Sequence, residues 1–179
     1  GGGIYEYESN PTLTHVTIAN NTADDDGGGM YVYESNPTLT HVTIANNTAD
    51  DDGGGMSLIQ STLRLTNSII WGNNQSSIDL ISQLPSVITY SNIEGGWVGE
   101  GNIDDDPLFN NDYTLQAGSP CIDSGDPSLW YGDIDRTRSD MGATGGLFAF
   151  PNFTNYDFGE VGDIGSSRQF TLYNYRQTP

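Results

Sequence analysis

A near-perfect internal repeat constrains this chain more than anything else in it. Residues 1–26 read GGGIYEYESNPTLTHVTIANNTADDD and residues 27–52 read GGGMYVYESNPTLTHVTIANNTADDD, differing only at Ile4/Met30 and Glu6/Val32. A diverged third unit opens at Gly53 with GGGMSLIQS and runs through TLRLTNSIIWGNN; a fourth, IDLISQLPSVITYSNIEGG, covers residues 78–96. A fixed period of roughly 20–50 residues marks a solenoid, propeller or array, in which a unit buries its apolar face only against its neighbours.

The unit is not helical. It holds three glycines, a proline, Asn-Asn and several threonines, with no apolar stripe of period 3.6. Its apolar residues alternate in short bursts, as strands do: Ile4 with position 6, Leu13 between two threonines, then Val16 with Ile18. Glu-Ser-Asn-Pro, Asn-Asn-Thr and Asp-Asp-Asp-Gly between the bursts are turn chemistry. Three short strands per unit predict a triangular coil, stacked ~4.8 Å above the next with like residues in columns. The expected columns are Leu13/Leu39/Leu65/Ile88, Val16/Val42/Ser68/Ser91, Ile18/Ile44/Ile70/Ile93 and Ile4/Met30/Met56/Ile78. Glu6 breaks a column that continues with Val32 and Leu58. His15, His41 and Asn67 fall between the second and third strands and read as corner residues, since Asn and His tolerate left-handed φ. A propeller blade needs about 40 residues. A leucine-rich repeat needs an L-x-x-L-x-L frame that this unit lacks.

Charge bounds the partners. The chain carries 24 acidic residues against five arginines and no lysine, a net charge of −19. Phosphate binding depends on Lys and Arg, so nucleic acid is excluded, and anionic membranes are disfavoured. No apolar run approaches the ~20 residues of a bilayer span, so no direct membrane insertion is expected from this segment. The single cysteine, Cys121, forms no internal disulfide and reads as a small buried residue.

The motif GGG-[IM]-Y…NPTLTHVTIANNTADDD resembles the right-handed parallel β-helix repeats of large bacterial surface proteins, which share the pectin-lyase-like fold. SNIEGG…GNIDDDPLFNNDYTLQAGSPCIDSGD looks like the segment that ends such helices in choice-of-anchor-Q proteins, with DIDRTRSDMGATGG at 133–146 as the closing strand. NYDFGEVGDIGSSRQFTLYN at 155–174 resembles the first strands of an immunoglobulin-like domain of the ASPM–SPD-2–Hydin kind. The fold class expected is therefore all-β: a right-handed parallel β-helix (solenoid) with a C-terminal cap, plus incomplete β-sandwich strands. Coils occupy 1–103 (1–26, 27–52, 53–77, 78–103), the cap 104–146, and a linker with the truncated immunoglobulin-like start 147–179. The resemblance implies a bacterial protein of the outer membrane or cell surface, or a secreted one. The chain opens in mid-repeat, so signal and anchor are expected outside it.

The resemblance leaves activity open, since the fold carries both polysaccharide lyases and inert stalks. A catalytic carboxylate pair needs unlike environments to separate its two pKa values. Asp24–Asp26 and Asp50–Asp52 lie in duplicated turns and give like ones. Arg64 stands alone in the coils, and no Lys is present to serve as a lyase base. No catalytic residue is assigned. A non-catalytic structural or adhesion module is expected, with a fragment of a carbohydrate-active enzyme (polysaccharide lyase or glycoside hydrolase) as the alternative. Two candidate sites follow. Tyr5, Tyr7, Tyr31 and Tyr33 should project outward on adjacent coils and stack against the sugar rings of an extracellular polysaccharide, or against a surface protein. Asp24, Asp25, Asp26, Asp50, Asp51 and Asp52 supply hard oxygens for calcium, the one cofactor the turns suggest, although none is required. Asp133 and Asp135 open like an EF-hand loop, but position six is Arg138 and position twelve Thr144, so the segment reads as a turn with an Asp140-Met-Gly cap. Trp71, Trp97 and Trp130 are expected to cover the open end of the core.

Overall fold

Alternation decides the first strand of each coil. In Met-Tyr-Val-Tyr, residues 30 and 32 turn inward and the tyrosines outward, as the period-2 geometry of a strand requires. The computed structural model describes residues 1–81, 84–133, 135 and 137–146, and contains no α-helix among them. In particular, no helix among the described residues is long and apolar enough to cross a membrane. All of them lie in the first of two compact units, Gly1–Phe148. The immunoglobulin-like start expected at 147–179 lies outside the described residues.

The first coil holds β1 (Ile4–Tyr7), β2 (Thr12–Ala19) and β3 (Thr22–Ala23); the second holds β4 (Met30–Tyr33), β5 (Thr38–Ala45) and β6 (Thr48–Ala49). The third holds β7 (Met56–Ile59), β8 (Arg64–Thr66) and β9 (Ile69–Trp71), the fourth β10 (Ile78–Leu80), β11 (Val87–Thr89) and β12 (Asn92–Ile93). Every strand pairing is parallel. One sheet runs β1-β4-β7-β10; a second joins β2, β5, β8 and β11 with β9 and β12; β3 and β6 form a third. This is an all-β parallel solenoid.

The predicted columns are the observed registers. Ile4 pairs with Met30, Met30 with Met56 and Met56 with Ile78. Leu13, Leu39, Leu65 and Ile88 stack, as do Ile18, Ile44, Ile70 and Ile93. The column begun by Val16 and Val42 passes to buried serines, because Ser68 Oγ accepts the amide of Val42 (3.0 Å) and Ser91 Oγ that of Ser68 (3.1 Å). Glu6 keeps its register opposite Val32 in the first coil, half-buried, with its carboxylate accepting the Ser9 hydroxyl. His15, His41 and Asn67 turn the corner at φ of 56°, 52° and 52°.

Three details differ from expectation. The Asn-Asn-Thr turn contains a short extra strand, because Thr48 N bonds to Asn21 O and Asp50 N to Ala23 O, giving the β3–β6 pair. The described residues of 133–146 form turns and bends, not a closing strand. They lie across the corners of the coils, so their amides meet single acceptors on successive rungs: Gly142 N bonds to Asn67 O and Ala143 N to Thr43 Oγ1. The carbonyl of Ala143 reaches His15 Nδ1 at 3.3 Å, so this strap crosses three coils from the third back to the first. Finally, Trp97 packs against the core and Trp71 against Ile69 and Met141, but Trp130 is 88 % exposed and covers nothing.

The triple glycines have a steric cause. A Cβ on Gly28 would sit 2.5 Å from the carbonyl oxygens of both Gly54 and Thr48, so coils can stack at this edge only without a side chain.

Candidate functional site

The outward residues of β1 and β4 form two aromatic ladders. Tyr5 stacks on Tyr31 with ring centroids 5.3 Å apart and planes 5° from parallel; Tyr7 stacks on Tyr33 at 5.5 Å and 3°. Parallel register places them so, since Tyr5 is opposite Tyr31 and Tyr7 opposite Tyr33. Tyr5 and Tyr7 are 61 % and 55 % exposed. The four candidate ligand-binding tyrosines thus come together as one surface. It ends at the third coil, where Ser57 and Ile59 take the tyrosine positions.

Carboxylates flank the ladders. Glu8 and Glu34 sit at left-handed corners, φ 48° each, immediately after the outer tyrosines. A side-chain hydrogen bond from Tyr7 to Glu8 raises its phenol, and one from Tyr33 to Glu34 does the same. Burial raises Tyr31, with further contributions from Tyr5, Asp26 and Asp25. All three phenols are therefore held neutral beside negative charge, with Tyr7 and Tyr33 donating to Glu8 and Glu34.

The predicted calcium residues lie beside this surface. Asp24, Asp25, Asp50, Asp51 and Asp52 are exposed and Asp26 is half-buried. Asp52 N donates to Asp26 Oδ1 at 3.1 Å, so part of the oxygen set holds the turn itself. Burial, then Asp52 and Asp26, raise the carboxyl of Asp79, so the acidic edge continues into the fourth coil. Among the described residues, the carboxylate trio with ligand atoms within 4.8 Å of one another lies elsewhere, at Asp123, Asp133 and Asp140.

That trio is the site least visible in the sequence. Asp133 and Asp140 belong to the strap, and Asp123 is brought to them from the segment before it. Asp140 N donates to Asp133 Oδ2 at 2.9 Å, Asp123 N to Asp140 Oδ1 at 2.8 Å, and Gly146 N to Asp133. Burial pushes Asp140 up to about 6 and also raises Asp133. The Asp133 charge adds to the rise at Asp140, and the oxygens of the pair accept backbone amides from the strap and from Asp123. The chemistry is that of a latch. The D-x-D spacing at 133–135 and the Asp140-Met-Gly turn are the signals in the sequence, and neither reveals Asp123.

The fold has a counterpart among known families: the model described as "Right handed beta helix region" matches residues 1–102. Searches of curated proteins and of solved structures returned no match.

Proposed function

We propose that this chain, which belongs to the right-handed β-helix family, serves as a non-catalytic structural and adhesion module of a secreted or cell-surface protein and presents its tyrosine ladders to extracellular glycan. The observation that carries this reading is the pair of stacked, solvent-facing ladders, Tyr5/Tyr31 and Tyr7/Tyr33. Sugar rings stack their apolar faces on aromatic rings, and adjoining phenols and carboxylates offer partners for hydroxyls. The duplicated rows suit a repetitive polymer better than a single catalytic encounter. The resemblance to choice-of-anchor-Q proteins supports a bacterial surface setting, and the adjoining Asp turns support calcium as an accessory ion.

The test is retention on a panel of immobilised polysaccharides, with and without calcium, with released reducing and unsaturated ends scored in parallel. Retention without release, lost in Tyr5→Ala/Tyr31→Ala, is the expected result. Release of product would favour the pectin-lyase-like enzyme reading instead, and retention unchanged in the double variant would remove the ladders from the function.

A further inference from the structure

The third coil is shorter than the two before it, and the difference leaves a hollow. Nine positions separate Asn47 from Met56, but five separate Asn73 from Ile78. The Asp-Asp-Asp-Gly-Gly-Gly turn has no counterpart there, and the chain passes through Gln75-Ser76-Ser77 straight into β10. After β12 the chain turns at Glu94-Gly95-Gly96, and this turn forms the opposite wall of the space. What remains is a cleft of about 460 Å³, with Gln75, Ser77, Glu94 and Trp97 among its walls. That volume falls within the roughly 300–1,000 Å³ usual for small-molecule sites.

Some polar groups of the wall are committed to the fold. Asn73 Oδ1 accepts from Asn47 and its Nδ2 donates to Ile44 O at 3.0 Å; Ser76 Oγ accepts the amide of Gly53. Others are not. Among the described residues the side chains of Gln75 and Ser77 make no hydrogen bond, and both line the cleft. Glu94 is exposed, with Oε2 accepting from Gly72 N at 2.7 Å. Trp97 packs against the core while remaining half-exposed. The wall therefore offers an aromatic ring, a carboxylate, an amide and a hydroxyl, with no cation among its residues.

That combination selects a ligand chemistry. An indole takes the apolar face of a sugar ring or an ammonium group. An amide and a hydroxyl take ring hydroxyls. A carboxylate in a chain of net charge −19 repels anions and attracts a cation. We propose that the cleft between the third and fourth coils binds an amine-bearing sugar ring, stacked on Trp97 with its ammonium against Glu94. This site is separate from the tyrosine ladders and does not depend on them.

Calorimetric titration with a glucosamine trimer, its N-acetylated form and a galacturonate trimer tests the proposal. Binding of the amine form is expected, weakened at least tenfold by acetylation, with none of the anionic trimer. Glu94→Gln keeps an acceptor for Gly72 N and should weaken the amine form about tenfold while leaving the acetylated form within twofold. Because Trp97 packs on the core, Ser77→Trp serves as the second variant, filling the cleft from its polar wall. It should abolish binding at an unchanged melting temperature. Tyr5→Ala/Tyr31→Ala should leave the affinity unchanged. No heat with the amine trimer at millimolar concentration, or affinity retained in both Glu94→Gln and Ser77→Trp, would overturn the proposal. Affinity lost only in the tyrosine variant would assign binding to the ladders instead.

Discussion

The imidazole of His41 lies face to face with that of His15, ring centroids 5.0 Å apart and planes 8° from parallel. His41 is buried beneath the strap, with Nε2 3.3 Å from Asn67 Nδ2 and 3.4 Å from Ser139 Oγ, and with the Tyr131 ring edge-on. Burial, and then the neighbouring His15, push its pKa down from 6.5 to about 4. A depressed folded value means the unfolded chain takes up the proton first. Stability from this group is therefore complete above pH 6.5 and is lost as pH falls toward 4, by up to about 3 kcal/mol. His41→Asn should remove that loss without disturbing the corner, because Asn67 holds the equivalent position at φ 52°. Melting temperature followed from pH 7 to 4 checks it, and a variant as acid-sensitive as the parent chain would refute the assignment.

Asp140 acts in the opposite sense over nearly the same window. Its folded pKa is raised from 3.8 to about 6, chiefly by burial, so the folded state holds the proton that the unfolded chain releases. Stability from this group is complete below pH 3.8 and falls as pH rises through 6. The unsubstituted chain should show a flatter stability profile between pH 4 and 6 than either single variant. Asp140→Asn keeps an acceptor for Asp123 N and should tilt the profile so that stability rises with pH. His41→Asn should tilt it the other way. Thermal melts of the three proteins decide the matter, and parallel profiles would show that neither group titrates as assigned.

Asn47 should be the costliest single side chain in the asparagine column. Its Oδ1 accepts both the amide and the side chain of Asn21, and its Nδ2 donates to Ile18 O at 3.0 Å and Asn73 Oδ1 at 2.9 Å. It is 1 % exposed, so water cannot replace these bonds. Asn47→Ala strands the buried carbonyl of Ile18 and takes the acceptor from the part-buried amide of Asn21, a loss on the order of 3 kcal/mol. Asn21→Ala, in the same column but half-exposed, should cost about 1 kcal/mol. Urea denaturation of the two variants should place their midpoints in that order.

The repeat made the solenoid legible because a column is a one-dimensional object. Once Leu13 is aligned with Leu39 and Ile18 with Ile44, parallel pairing follows from the period alone, and the outward tyrosines follow from the alternation. The strap was not legible, because its docking uses amides of Gly142 and Ala143 against a carbonyl and a hydroxyl on different coils. Backbone donors leave no trace in residue type. The carboxylate trio was hidden for a related reason: Asp123 and Asp140 meet only once the strap has folded back. The cleft was half legible. Deletion of the acidic turn after Asn73 can be counted in the sequence, but whether the next coil fills the gap depends on where Trp97 goes.

The strap should open before the coils do, and Cys121 reports it. The thiol is fully buried against Ile69 and Met141, 3.1 Å from Asn92 Nδ2, and burial pushes its pKa up to about 11. Only a thiolate alkylates, so at pH 8 the folded form is protected twice over, by access and by protonation. The strap has no strand among its described residues and is tied by isolated bonds such as Met141 N to Cys121 O and Gly142 N to Asn67 O. The coils share continuous ladders instead, so the strap belongs at the low-stability end of the molecule. Met141→Ala removes a fully buried side chain from this contact. A truncation of that kind costs roughly 2–5 kcal/mol, which predicts labelling of Cys121 by iodoacetamide at least about thirtyfold faster. The far-UV transition of the coils in urea should move little in the same variant. If labelling and the coil transition shift together, strap and solenoid unfold as one unit, and the latch formed by Asp133 and Asp140 is part of the cooperative core.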